Sequence, residues 1–248
     1  MLFRSVQAVA APRLGSTREQ LQELWQTDAD CESGEFAGIV FRRNAELLYG
    51  VLQLAEGDFV SRTDCPPLQA ASEAAYRRIF ALLDAQALPQ LWRVWNYFAD
   101  INRKNDGLER YRQFNIGRHE AFQAYGRTAG GQVPAACAIG LRDGPLNIAF
   151  IAGRHLPLAI ENPRQVSAYA YPPEYGPRSP TFSRAVLVTL PQQNILFLSG
   201  TASIVGHRTV HLNDVAGQCR ETLDNIAAVV DEANRRGQTA FSMAELTY

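Results

Sequence analysis

The 248-residue sequence predicts an α/β (α+β) chain built from two similar halves. Three observations carry that prediction. Apolar, β-branched runs come in pairs at hairpin spacing, stretches of 3.6-residue periodicity follow them, and the strand-then-helix order recurs about 150 residues further on, which indicates a duplicated domain.

In chain order, residues 1–35 read as a polar covering segment. A short helix is expected at 17–26, with Ser16 as its cap and Leu21, Leu24 and Trp25 on one face. FAGIVF at 36–41 and AELLYGVLQL at 45–54 read as strands joined by a polar turn at Arg42, Arg43 and Asn44. From 68 to 88 the residues Ala71, Ala75, Ile79, Leu82 and Leu83 share a face, which is helical spacing, and Pro89 stops it. WRVWNYF at 92–98 alternates as a strand, a helix is expected from about 107 to 125, and further strands at 134–141 and 146–151.

The chain is organised around residues 178–213. There AVLVTL and ILFL flank the turn PQQN, so both arms read as core strands. The following SGTASIVGH is small and hydroxyl-rich, where backbone can approach a ligand closely. A helix at 214–236 places Ile226, Val229 and Val230 where Ile79, Leu82 and Leu83 stand in the first half, and TAFSMAELTY at 239–248 stands in the place of the 92–98 strand. The expected organisation is therefore a covering segment (1–35), a first domain (36–151), a connector carrying site residues (152–182) and a partial second domain (183–248). The second copy reads as truncated inside its last strand.

A balance of 46% hydrophobic and 20% charged residues is ordinary for a globular domain, and a net charge of −1 with both signs interspersed argues against nucleic acid or an anionic membrane as partner. The expected ligand is a small molecule. No apolar run approaches a membrane span, and the N-terminus lacks the apolar core of a secretion signal, so the expected location is the cytoplasm. Cys31, Cys65, Cys137 and Cys219 are scattered without metal-ligand spacing, so they read as buried or idle thiols, and neither metal nor cofactor is expected. His207 and His211, four apart in an extended stretch, read as surface or supporting residues. Whether the chain is monomeric or a homo-oligomer is open at this stage.

Three blocks, RYRQFNIGRHEAF at 110–122, ENPRQVSAYAYPPEYGPRSPTFSRA at 161–185 and SGTASIVGH at 199–207, together resemble the chorismatases, including the branch that forms 3-hydroxybenzoate. The second half, with Ser183-Arg184-Ala185, a hairpin, Ser199-Gly200 and a helix opening on Asp214, also resembles a RidA/YjgF-like domain. The resemblance implies two RidA-like halves of the chorismate mutase-like fold. It also implies cleavage of chorismate to pyruvate plus a 3-hydroxybenzoate or a dihydroxycyclohexadiene carboxylate, begun by protonation of the enolpyruvyl methylene carbon by a carboxylic acid. It further implies that the catalytic glutamate lies beyond Tyr248, so the 248-residue chain is expected to be inactive or nearly so.

A ligand with two carboxylates and a hydroxyl on a compact ring calls for arginines that bind bidentately and tyrosines that line the ring. Arg184, directly before a buried strand, fits a carboxylate-binding role better than a surface one. Arg118 and Tyr111, in the first resembling block, and Tyr171, among prolines, are the other candidates, each with a surface or core-packing alternative. The resemblance places Ala202 by the substrate ring. Glu120, Glu161 and Glu174 are the acids in the right neighbourhoods. The alternative function is a non-catalytic or fragmentary RidA-like small-molecule binding protein; a RidA-type imine deaminase fits least, because those are single short domains.

Overall fold

The computed structural model describes residues 6–9, 23–60, 65–127 and 133–247. Strands β1 (Glu32–Phe36), β2 (Ile39–Arg43) and β3 (Leu47–Leu54) form an antiparallel meander; a 19-residue helix, α1 (Pro67–Ala85), leads into β4 (Gln90–Ala99). A two-residue ribbon, β5 (Lys104–Asn105) and β6 (Leu108–Glu109), precedes α2 (Arg110–Ala124), and β7 (Ala135–Leu141) and β8 (Leu146–Gly153) finish the first half. These strands make one sheet of order β1-β2-β3-β8-β4-β7. The β4–β7 pair is parallel, as the crossover through α2 requires, and β7 is an edge.

Burial follows from alternation. Val94 and Phe98 on β4 and Ile148 and Phe150 on β8 face the helices, where they meet Tyr76, Ile79 and Phe80 of α1 and Phe114 and Phe122 of α2. The Phe80 and Phe122 rings meet edge to face, 4.8 Å between centroids. Close approach of the two helices depends on Gly117, where a Cβ would lie 2.0 Å from the Gln69 carbonyl oxygen. Polar groups inside this layer are paired: Tyr76 Oη donates to Asn96 Oδ1 (2.8 Å), and Asn96 Nδ2 donates to the Cys137 carbonyl (2.8 Å).

The opposite face of the large sheet carries Trp92, Ala135 and Ile151, which pack on Val186, Val188 and Phe197. These last belong to a second sheet of order β11-β10-β9, made of β9 (Leu158–Ile160), β10 (Ala185–Leu190) and β11 (Gln193–Leu198). Its outer face, with Ile160, Ala185 and Leu187, is covered by Val229 and Ala233 of α3 (Val215–Gly237). Asp214 caps α3 by accepting from the Gly217 N–H at 2.9 Å. A last ribbon, β12 (Ile204–Val205) and β13 (Arg208–Thr209), lies between β11 and α3.

Several expectations need correction. The strand expected at 36–41 is broken by a turn at Ala37 and Gly38, both at positive φ (49° and 81°). The strand expected at 239–248 does not form: Met243–Glu245 is a short 3-10 turn closed by a capping box between Ser242 and Glu245. TAFSMAELTY has the apolar content of a strand, but Phe241 is held against the end of α3, its N–H donating to Asn234 Oδ1 and its carbonyl accepting from Asn234 Nδ2, both at 2.8 Å. The expected 17–26 helix lies largely outside the described residues, and 23–26 are irregular. The connector is not only a connector, since it supplies β9 to the second sheet.

Candidate functional site

The edge of β7 is where the two sheets meet. Ser183 bridges Ala135 in parallel and donates its N–H to the Pro134 carbonyl at 3.0 Å, so the chain entering β10 first runs beside β7. Ser199, after β11, fastens the same corner: its Oγ accepts from the Ala136 N–H (2.9 Å) and donates to the Ser183 carbonyl (2.5 Å). The Gly200 N–H donates to the Ala136 carbonyl at 3.0 Å, and a Cβ on Gly200 would lie 3.3 Å from Cys137 Cβ. The small residue at 200 thus serves a close approach to β7.

Arg184 emerges from this corner and is almost fully buried, at 5% exposure. One nitrogen, Nη2, donates to the Val166 carbonyl (2.8 Å) and to Tyr171 Oη (2.9 Å), and the guanidinium carbon lies 5.6 Å from the centres of both the Tyr171 and Phe182 rings. Its Nε is buried without a partner. Arg118, from α2, is 2% exposed. It lies over the Tyr76 ring at 5.0 Å and the Phe122 ring at 5.4 Å, and its Nε and Nη2 are orphaned as well. Tyr111 sits two turns earlier on the same face of α2, at i−7 from Arg118, with Asn115 between them.

The electrostatics tie these groups together. Burial raises the Tyr111 phenol above its ordinary pKa of 10.0; a hydrogen bond from the direction of Asn115 and the positive charges of Arg118 and Arg184 oppose the rise, and Tyr171 adds to it. Arg118, Tyr171 and Arg184 therefore all lie within electrostatic reach of Tyr111. Four of the five sequence candidates converge on one place. The fifth, Ala202, is exposed, and its carbonyl accepts from Asn225 Nδ2 of α3 at 3.0 Å; no hydrogen bond joins it to either arginine.

Three residues that the sequence did not single out for binding complete the corner. Asn115 Oδ1, Thr181 Oγ1 and both carboxyl oxygens of Glu161 are buried and unpartnered. Glu161 has neither oxygen within hydrogen-bonding geometry of a donor, while the Ser167 and Ser183 hydroxyls and the Arg184 N–H stand close enough to favour its ionised form. Burial outweighs them and raises its pKa above the usual 4.5. Of the other acids, Glu120 pairs with Arg178 at 3.2 Å on the surface, and Glu174 is exposed. The spacing of Asn115 and Arg118, three apart on one helix, was the available signal for Asn115; Thr181 had none.

Seven of the eleven buried side-chain polar atoms that lack a partner among the described residues belong to these five residues. Native interiors pair nearly all such atoms, so this local cluster of orphans makes the corner the candidate site for a polar ligand. Open clefts occur elsewhere, one of about 610 Å³ between Glu56, Asp100, Arg103 and Arg110. Arg110 there is already paired with Glu56 at 2.5 Å, so the buried corner, with its unpaired guanidinium nitrogens, is the stronger candidate. Nearby, His207 Nδ1 lies 3.0 Å from Tyr175 Oη, and His211 Nε2 lies 3.3 Å from Glu221. Among the described residues, no His, Cys, Asp or Glu cluster of three has metal-holding geometry, and no helix is long and apolar enough to cross a membrane. Cys219 is exposed and the other three cysteines are half-buried.

Comparison with known proteins places this arrangement. The family model described as chorismatase FkbO/Hyg5-like, N-terminal, matches residues 23–152, more than half of the chain. The chain belongs to the chorismatase family. A chorismatase from Streptomyces rapamycinicus is 41% identical over 220 residues, covering 87% of this chain and 63% of that protein. A 3-hydroxybenzoate synthase from Streptomyces hygroscopicus is 40% identical over 231 residues, covering 88% and 63%. A chorismatase crystal structure superposes with a TM-score of 0.77 at 39% identity, over 85% of this chain and 62% of that one. The chain thus spans about three fifths of the length of the chorismatase-family proteins it matches.

Proposed function

We propose that this protein acts on chorismate, cleaving it to pyruvate plus a 3-hydroxybenzoate or a dihydroxycyclohexadiene carboxylate, as the names of its relatives suggest. The observation that carries the reading is the pair of buried arginines, Arg118 and Arg184, with unpartnered N–H groups at the β7 edge. Two guanidinium groups match a ligand with two carboxylates, and the aromatic residues around them match a compact ring.

In this reading Arg184 receives one carboxylate through its free Nε, while Tyr171 and the Val166 carbonyl fix the plane of the guanidinium. Arg118, held over Tyr76 and Phe122, receives the other. Tyr111 and Asn115 line the space between, and Ala202 stands at its rim. Neutralising both carboxylates concentrates the remaining chemistry on the enol ether, where protonation of the methylene carbon gives an oxocarbenium ion open to attack by water or a ring hydroxyl.

The same reading divides the chain into a covering segment (1–35), a first RidA-like domain (36–151), a site-bearing connector (152–182) and a second, partial RidA-like domain (183–248), working in the cytoplasm. A helix packed on one face of a sheet occurs in each half, which supports the duplication.

Isothermal titration of this chain with chorismate, together with pyruvate release followed through lactate dehydrogenase, tests the proposal. Binding that is weakened by Arg184→Ala and by Arg118→Ala is expected. Absence of chorismate binding at millimolar concentration, or binding indifferent to both substitutions, overturns it.

A further inference from the structure

Glu161 is the one acid whose carboxyl oxygens are both buried at the arginine corner without a partner. Its place is set by the ladder. Ile160 pairs with Ala185 across the antiparallel β9–β10 pair, so the next pair outward sets Glu161 opposite Arg184. Ile160 and Ala185 face α3, and alternation turns Glu161 and Arg184 the other way, toward the site.

Arg184 is the charge that acts on Glu161; Ser183 from the same segment and Ser167 from the connector bring hydroxyls, and Tyr171 is engaged with Arg184 itself. No ion pair within 4.0 Å joins Glu161 to any cation among the described residues. A carboxylate in that position feels the Arg184 charge without competition only while the site is empty. Once a ligand carboxylate takes the free Nε, two carboxylates share one guanidinium in a place shielded from water, and both cannot stay ionised.

We propose that Glu161 is a positioning residue that takes up one proton when a dianionic ligand seats on Arg184, and then donates its O–H to the ligand. The proton comes from solvent, one per ligand bound, and the glutamate turns from competing acceptor into donor. This rests on the dianion reading of the site above, and its consequence is that the site binds its ligand as dianion plus proton. Burial already biases Glu161 in that direction before any ligand arrives.

The experiment is calorimetric titration with chorismate, in phosphate and in Tris at matched pH from 6 to 8.5, of the native chain and Glu161→Gln. Between these buffers the apparent enthalpies differ by the number of protons exchanged. The native chain is expected to take up a fraction approaching about one proton per ligand, with Kd rising toward about tenfold per pH unit once Glu161 is ionised in the empty site. In Glu161→Gln the uptake disappears and Kd is flat with pH. Equal uptake and equal slopes in the two proteins overturn the inference.

Isophthalate, a planar dicarboxylate, is titrated in parallel. Proton-linked binding of isophthalate without binding of chorismate leaves the role of Glu161 standing and removes chorismate as substrate; binding of neither overturns the inference. If circular dichroism shows Glu161→Gln unfolded, Glu161→Asp replaces it. Shortening the side chain by one methylene must shift the midpoint of the proton linkage, and an unchanged midpoint also overturns the inference.

Discussion

Two sets of buried side chains on α2 obey different rules. Toward α1 the helix presents Phe114, Ala121 and Phe122 in a layer where Tyr76 and Asn96 satisfy each other and the Cys137 carbonyl. The same helix carries Asn115 and Arg118, which are as deeply buried, yet Asn115 Oδ1 and Arg118 Nε and Nη2 have no partner although the Arg118 guanidinium lies over the Tyr76 ring. Burial is equal in the two sets and hydrogen bonding is not. Since a buried unpaired group costs about 1–3 kcal/mol, the unpaired set is tolerated only where it serves something other than stability. On the function proposed above, the aromatic set carries folding energy and the unpaired set carries ligand binding.

Substitutions in the aromatic layer and at the arginine corner should separate cleanly. The largest effect is expected from Phe122→Ala, which leaves a cavity against Phe80 and Tyr76 and should lower unfolding stability by about 4 kcal/mol in urea denaturation. It should be matched, in the other currency, by Arg184→Ala. Truncating one side of a buried, charge-assisted contact is expected to weaken chorismate binding by about 3 kcal/mol, on the order of a hundredfold in Kd, with a much smaller loss of stability. Arg184→Lys should restore only part of it, because a lysine lacks the planar fork that reaches Val166, Tyr171 and ligand together. A stability loss for Arg184→Ala equal to that of Phe122→Ala would make the corner structural and end the distinction.

How much of this was legible follows the same division. The α1 helix and the β10 arm of the hairpin were readable because periodicity and burial agree there: Ala71, Ala75, Ile79, Leu82 and Leu83 are buried as their spacing required, whereas β11, expected as a second core strand, buries Phe197 and leaves Ile195, Leu196 and Leu198 half-buried. Residues 239–247 were not, because an apolar run does not say which partner takes it, and here Asn234 captures Phe241 while the rest of the run stays half-buried or exposed. The turn at Ala37 and Gly38 was hidden inside a run of strand formers. At the site, Arg184 was identifiable because a charge directly before a buried strand needs a reason, and Arg118 because its block resembles the family and Phe114, Ile116 and Gly117 surround it. Thr181 and the full significance of Glu161 were not, since orphaning is a property of three-dimensional neighbours and leaves no mark in the order of residues.

A smaller effect sharpens the comparison within the site. Tyr171→Phe keeps the ring beside Arg184 and removes only the acceptor for Nη2, which still has the Val166 carbonyl. The expected cost to ligand binding is about 1 kcal/mol, the worth of one hydrogen bond, read as a several-fold rise in Kd for chorismate by calorimetry. A loss as large as that of Arg184→Ala would mean that Tyr171 contacts the ligand directly.

The smallest effect concerns stability alone and needs no ligand. Glu161 has a raised pKa in the folded protein because burial penalises its charged form more than Ser167, Arg184 and Ser183 favour it. In the unfolded chain it titrates near 4.5. Below that value it is protonated in both states and its contribution is fully present. As pH rises from 4.5 through the folded-state pKa, the unfolded chain gives up its proton more readily than the folded one, and stability is lost. Glu161→Gln carries no proton to lose. The difference in melting temperature between variant and native protein should therefore favour the variant at neutral pH and shrink steadily as pH falls toward 4.5, whatever the other carboxylates do, because they are common to both proteins. Differential scanning fluorimetry at half-unit steps from pH 4 to 8 resolves such a trend. A difference that stays constant across that range would mean that Glu161 titrates alike in both states, and that burial at the arginine corner does not hold its proton.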